Sequence, residues 1–536
     1  MANIREITLN ILKEYYRDNT RKPSLLKDAL NKYDYLDTRD KAFIKRVVDG
    51  CIERQIQIDY ILDSFSKVKT SKMQPFIREL LRMSVYQIMF MDQIPDSAAV
   101  NEAVKLATKH KFASLKGFVN GVLRNVSRNK DKIEYPDKAK DGGIKYLSVV
   151  YSMPEWICEM WTERYGFDTT EYMLKFFLLP RPTVVRLNML NGAFDKTVSD
   201  ASEKKHDTPS ADAFVQELEN AGVVVRQNKI LPYALELEKT DNIRFLPGFE
   251  EGRFFVQDVS SMLVTEIADP KPGQVVIDVC AAPGGKSLHA AERVFVDKGH
   301  VEKNALSNMA DDANNSVDDS DKAAKEIYDK AENYSANEEN SVLEHPADNT
   351  LPQGIVISRD VSERKCDLIR ENAERLGITN IQVKMHDARV HDAALENKAD
   401  ILYLDLPCSG LGIIGRKNDI KYNATKQGLS DLSKLQWEII KTAWDYVKPG
   451  GILMYSTCTV NKAENEDMVK RICDELPFET MDFADMLPAS LIEGDSYAQI
   501  TPGKNTLLSQ AKNGFIQLLP GQYDTDGFFI AKLRRT

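Results

Sequence analysis

The chain has 536 residues, enough for roughly two to four domains with sizeable cores. Apolar residues make up 43% and charged residues 28%, and no run of 18 apolar residues occurs, which excludes a membrane-spanning helix and predicts a globular chain. The net charge of −10 argues against a nucleic-acid binder only on average: residues 301–350 hold 13 acids and 4 bases, whereas residues 1–130 hold 24 Lys/Arg and 15 Asp/Glu.

Seven scattered cysteines argue against a disulfide framework, and no CxxC pair or His/Cys cluster marks a metal site, so no metal is expected. The first residues, MANIREITLN, place acids early and do not read as a signal peptide. Free thiols fit a reducing, cytoplasmic setting.

Residues 1–130 predict an all-α bundle. Apolar residues recur by three and four through Ile4–Leu12 and again through Asp40–Ile61, and Pro75–Met91 is apolar enough to be its central helix. Asp96 or Ser97 is expected to cap the helix Ala98–Thr108. Residues 131–145 read as a linker. Residues 146–250 predict a small α+β linking module: a helical stretch Tyr151–Phe177, a strand Thr183–Asn188, a polar loop Asn191–Ser210, a helix Phe214–Asn220 and short strands at Gly222–Val225 and Ala234–Leu237.

From 251 to 536 the chain alternates strand and helix, as a Rossmann-like α/β domain does. Strands are expected at 254–258, 275–279, 355–360, 381–385, 401–405, 452–456 and 526–533. Helices are expected between them, the longest at Leu432–Val447 and another at Lys462–Leu476. The stretch 303–350 is acidic and poor in large apolar residues, so it predicts a disordered insertion.

In such sheets ligands sit beyond the carboxyl ends of the strands. The strand Val275–Val279 runs into Cys280-Ala281-Ala282-Pro283-Gly284-Gly285-Lys286, a glycine turn opening a helix. The next strands end at Asp360, at His386-Asp387 and at Asp405. Acids at strand ends without a phosphate loop point to a nucleoside cofactor lacking phosphates, for which S-adenosylmethionine is the natural candidate. Asp360 would hold ribose hydroxyls and Asp387 the adenine amino group.

Two later stretches, Asp405-Leu406-Pro407-Cys408-Ser409-Gly410 and Ser456-Thr457-Cys458-Thr459, place a cysteine after each of two successive strands. A thiolate is a good carbon nucleophile. Its addition to C6 of cytosine makes C5 enamine-like and able to attack an electrophilic methyl group. A carboxylic acid at N3 assists, and a base then removes the C5 proton.

On these motifs the chain resembles the bacterial 16S ribosomal RNA cytosine-C5 methyltransferases of the RsmB (Sun/Fmu) type. The motifs are VIDVCAAPGGK (276–286), DVSERKCDLIRENAERLG (360–377), DLPCSGLGIIGRKNDIKY (405–422), STCTVNKAENE (456–466) and DGFFIAKL (526–533). FVNGVLRN (118–125) places residues 1–130 beside the NusB-type RNA-binding domain. RPTVVRLN (181–188) and FVQDVSS (255–261) resemble the linking module and the entry to the catalytic domain.

The resemblance implies Cys458 as nucleophile and Cys408 as the cysteine assisting product release. Cys280–Lys286, Asp360, Asp387 and Asp405 would bind S-adenosylmethionine. Asp405 would also contact the base, and Lys286 would orient groups near it. Leu406 and His386 depart from the family's usual Ala and Gly. The implied substrate is single-stranded or loop 16S rRNA, free or in early assembly, acted on by a monomer with no membrane association. Alternatives are a transfer RNA methyltransferase, a DNA methyltransferase using Cys408, and a non-catalytic RNA-binding assembly factor.

Overall fold

The computed structural model describes residues 3–17, 25–33, 35–190, 211–240, 242–295, 354–493 and 506–536. The expected loop 191–210 and the expected insertion 303–350 lie outside them.

Among the described residues, seven α-helices make the N-terminal bundle: α1 (Ile4–Arg17), α2 (Leu25–Lys32), α3 (Thr38–Glu53), α4 (Gln55–Phe65), α5 (Pro75–Phe90), α6 (Asp96–Lys109) and α7 (Lys116–Asn129). Pro75 opens α5, where its missing N–H costs nothing. α5 packs against α1, α3, α4, α6 and α7, as its apolar sequence predicts. Two details differ from expectation. The run Asp40–Ile61 is two helices, broken at Arg54. The amide of Ile56 at the second start donates to Ser152 Oγ at 3.0 Å, a cap 96 residues distant that no local pattern reveals. Neither Asp96 nor Ser97 caps α6: Pro95 stands at the N-cap, and Asp96 accepts from Ser127 Oγ of α7 at 2.7 Å.

Helices α8 (Gly143–Val150), α9 (Glu155–Tyr165) and α10 (Phe167–Phe177) follow. Their Trp161 and Phe177 share a core with Leu411, Ile414, Val460 and Leu519 of the C-terminal α/β unit. A four-stranded antiparallel sheet is built from β1 (Thr183–Leu187), β2 (Val224–Gln227), β3 (Ala234–Glu238) and β4 (Phe254–Val256) in the order β2-β3-β1-β4. Its period-two pattern gives it two apolar faces. Val185 and Leu187 pack with Phe214 and Leu218 of α11 (Ala211–Asn220), whereas Val184 faces the α/β unit.

The α/β unit runs α12 (Val259–Ala268), β5 (Val276–Asp278), α13 (Gly285–Val294), β6 (Val356–Asp360), α14 (Glu363–Leu376), β7 (Ile381–Met385) and β8 (Ala399–Asp405). It continues through α15 (Ile420–Asn423), α16 (Lys426–Ala443), β9 (Val447–Thr457), α17 (Glu466–Glu475), β10 (Phe478–Thr480), α18 (Ala489–Glu493), α19 (Leu507–Lys512), β11 (Phe515–Leu518) and β12 (Phe528–Arg535). The strand order is β7-β6-β5-β8-β9-β12-β10, with β11 also on β12. Strands β5 to β9 are parallel, and β12 is antiparallel to its neighbours.

β5 and β6 are buried along their length, as strands covered on both faces must be. The chain moves outward from β5 to β7, then restarts on the other side of β5 with β8. That reversal opens a crevice beyond the carboxyl ends of β5 and β8. No described helix is long and apolar enough to cross a membrane.

Candidate active site

The crevice is a cleft of about 420 Å³, within the size range of small-molecule sites. Asp278, Ala281, Ala282, Pro283, Gly285 and Lys286 form its floor, and Asp405, Phe528, Gln257 and Asp258 its walls. Gly284, the N-cap of α13, has φ +104°, a conformation strained for any residue with a Cβ. Among the described residues no side chain caps the helix there, so its first turn keeps backbone donors for a ligand.

Asp278, which sequence reasoning passed over, is 1% exposed. It accepts from Ser287 Oγ at 2.6 Å, and burial pushes its carboxyl up to about 7, with Asp405 adding to the rise. Its signal was its place as the last residue of the apolar strand before the glycine turn.

Lys286 Nζ donates to Asp405 Oδ2 at 2.6 Å and lies 5.2 Å from the centre of the Phe528 ring. Ser456, opposite Asp405 in the β8–β9 register, donates to Asp405 Oδ1 at 2.8 Å. The carboxylate of Asp405 is therefore fixed on both oxygens at the mouth of the switch point.

Just beyond these strand ends, Cys408 Sγ and Cys458 Sγ are 3.0 Å apart as free thiols. The contact with Cys458 raises the Cys408 thiol well above its ordinary range, with burial and the Glu464 carboxylate adding to the rise. Cys280, the third cysteine near the turn, is pushed up by burial and by Asp278, which suits it to packing and not to attack.

A buried polar frame that the sequence did not announce holds the two cysteine loops. Glu464, fully buried, accepts from Ser409 Oγ at 2.6 Å and Asn461 Nδ2 at 2.8 Å on one oxygen. Its other oxygen accepts from Ser409 N at 2.8 Å and Gln436 Nε2 at 3.2 Å. The hydroxyls of Ser409 and Thr459, each following one of the cysteines, are 2.7 Å apart. Gly412 donates its amide to Cys458 O, and a Cβ there would meet the Gly527 carbonyl oxygen at 2.1 Å.

The other expected ligands stand apart from the cleft lining. Asp360 is buried at the end of β6, accepting from Ala282 N at 3.1 Å and Lys365 Nζ at 2.9 Å, so it braces the glycine turn. Asp387 is held by Arg389, whose guanidinium contact is at 2.6 Å and lowers the carboxyl to about 2. His386 contacts the Val390 carbonyl oxygen at 2.7 Å.

A mixed sheet with this strand order, a glycine turn after its central first strand and acids at the neighbouring strand ends defines a Rossmann-like methyltransferase domain. Residues 345–534 match the family model for 16S rRNA methyltransferase RsmB/F, and residues 2–128 match that of the NusB family. The "Probable ribosomal RNA small subunit methyltransferase B" of Bacillus subtilis is 30% identical over 539 residues, covering 100% of this chain and 99% of the relative. A protein so named from Synechocystis is 27% identical, covering 100% of both. The fold is also that of the crystal structure of PH0851, with a TM-score of 0.67 and 20% identity over 100% of this chain and 99% of that one. The chain belongs to the RsmB/F family of 16S rRNA methyltransferases and carries an N-terminal NusB-family domain. That membership sets aside the DNA methyltransferase and non-catalytic readings.

Proposed function

We propose that the chain methylates C5 of a cytosine in 16S rRNA, using S-adenosylmethionine, through a covalent bond between Cys458 and C6. The observation that carries this reading is the pair of thiols 3.0 Å apart beside the Lys286–Asp405 ion pair. The cleft suits the cofactor: its volume, the uncapped start of α13 and the buried Asp278 match a nucleoside joined to an amino acid. Residues Cys280–Lys286 with Asp405 would hold it directly. Asp360 would act through the turn it braces, and Asp387 would serve the adenine edge. S-adenosylmethionine supplies the electrophilic methyl group.

In this mechanism the Cys458 thiolate adds to C6, and a proton at N3, carried by the Asp405–Lys286 pair, takes up the developing charge. The electron pair gathered at C5 accepts the methyl group. Once Cys458 is bonded to carbon, its contact no longer raises the Cys408 thiol, which burial and Glu464 still do. Cys408, having given its own proton to solvent, takes the C5 proton as a thiolate, the C–H electron pair restores the C5–C6 double bond, Cys458 leaves as thiolate, and N3 returns its proton to the Asp405–Lys286 pair. The target base must be unstacked to expose C6, which favours single-stranded or loop RNA, free or in early assembly. The enzyme acts as a cytoplasmic monomer.

Bisulfite sequencing of ribosomal and transfer RNA from cells with and without the gene tests the reading. One 16S cytosine should lose its methyl group on deletion. Loss confined to a transfer RNA would replace the substrate, and no loss at any cytosine would reject the chemistry.

A further inference from the structure

A second, larger depression of about 1450 Å³ lies where three parts of the chain meet. One wall is α3 of the bundle, the second comes from Leu178–Arg181 and the small sheet's 239–246 segment, and the third is the 415–419 loop. Eight of its lining side chains are Lys or Arg and three are acids. Its three acids offset part of this charge; burial pushes Asp49 up to about 6 and also raises Glu53 and Asp419.

Two further features say what the groove is shaped to hold. Phe245, on its rim, is 86% exposed, and Leu179 in the same lining is 52% exposed, so a ring and an apolar side chain face the groove uncovered. Arg416 and Lys417 line both the groove and the methyl-transfer cleft, so the two are continuous. Arg416 is fixed at this threshold: it donates to Asp526 Oδ2 at 3.2 Å, to Asp258 Oδ2 at 3.3 Å and to the Pro182 carbonyl at 2.8 Å. Lys417 beside it is exposed, as are Lys45 on α3 and Lys239 on the opposite wall.

We propose that this groove holds the single-stranded RNA flanking the target cytidine, with Lys45, Lys239 and Lys417 on phosphates and Phe245 against a base. The inference rests on the RNA-methylation reading above and adds the path by which the strand reaches the cleft. Cations spread along the walls meet a backbone. An exposed ring stacks on a base whose face is free, which a duplex does not offer.

The test is fluorescence anisotropy of the full chain with a labelled single-stranded 16S fragment containing the methylated position, across a salt series. Lys45→Gln and Lys239→Gln should each lower the slope of log affinity against log salt by about 0.7. Phe245→Ala should weaken binding roughly tenfold with the slope unchanged. In turnover assays these losses should fall on KM for the RNA, and affinity for S-adenosylmethionine by calorimetry should stay at the wild-type value. Unchanged affinity and slope in all three variants would overturn the groove assignment. So would a duplex of the same sequence binding as tightly as the single strand. Anisotropy scores the groove without any turnover, so failure here is separable from failure to find 5-methylcytosine.

Discussion

Cys408 and Cys458 carry the same side chain, and their surroundings divide the labour between them. The Cys408 thiol is raised by its contact with Cys458, by burial and by Glu464, and the proposed nucleophile Cys458 is its partner in that 3.0 Å contact. Glu464 is the positioning residue of this arrangement. Its carboxylate satisfies four donors, which an amide cannot do. Leaving one buried donor unmet costs about 1–3 kcal/mol, so Glu464→Gln should slow single-turnover methylation roughly 10- to 100-fold. Binding of S-adenosylmethionine by calorimetry should be unaffected, and an equal loss of both would assign Glu464 a purely structural role.

Asp278 gives a pH-dependent prediction. Its folded value, about 7, lies above the ordinary 3.8, so the unfolded chain releases this proton first as pH rises. The group's contribution to stability is then fully present below about pH 4 and is lost as pH rises through about 7. Asp278→Asn removes this loss. The fall in melting temperature between pH 5 and pH 8 should be smaller in the variant than in the wild type, and an equal fall would show that Asp278 is ionised throughout.

At the scale of elements, the site depends on loops locked to one another after β8 and β9. Gly412→Ala places a methyl group against the Gly527 carbonyl, so it should separate the cysteine loops and reduce activity at least as far as Glu464→Gln. Wild-type activity in Gly412→Ala would show that the loops tolerate the shift. The helix carrying the glycine turn is anchored from its other end: Glu292 of α13 forms a fully buried ion pair with Arg186 of β1. Glu292→Ala leaves that guanidinium buried and unpaired, a loss of about 3–5 kcal/mol that urea unfolding would register.

What could be read in the sequence divides along the same line. The strands β5, β6 and β8 were legible because each is a short, largely apolar run ending in Asp, as at Asp405-Leu406-Pro407, whereas β9 runs through Pro449-Gly450-Gly451, which read as the break before it. The turn at Gly284 and the two cysteines were legible because local residue types define them. Asp278, Glu464 and Arg186 were not, because their roles depend on partners from other elements. Short β10 and β11 were missed for a related reason: they exist by pairing with β12, not by a strong pattern of their own.

At the scale of the whole molecule, the bundle is tied to the methyltransferase domain through a buried lysine. Lys421 Nζ of α15 donates to the Glu53 carbonyl at the end of α3 at 2.7 Å. Burial lowers its ammonium to about 7, from an ordinary 10.5. Between these values the unfolded chain holds the extra proton, so stability should rise with pH from about 7 towards 10.5, and the strain is fully present below 7. Lys421→Met should abolish that rise in thermal scans. A rise of the same size in the variant would place its origin elsewhere. The same junction borders the groove proposed for RNA, so a chain damaged there should also lose RNA affinity.

The covalent bond between enzyme and base is the central claim, and it can be captured directly. Cys408→Ala, incubated with S-adenosylmethionine and 16S rRNA and then denatured, should retain RNA on the protein, and peptide mass spectrometry should find the nucleotide on Cys458. Adding Cys458→Ala should remove the adduct. An adduct on any other residue, or one that persists without Cys458, would contradict the account.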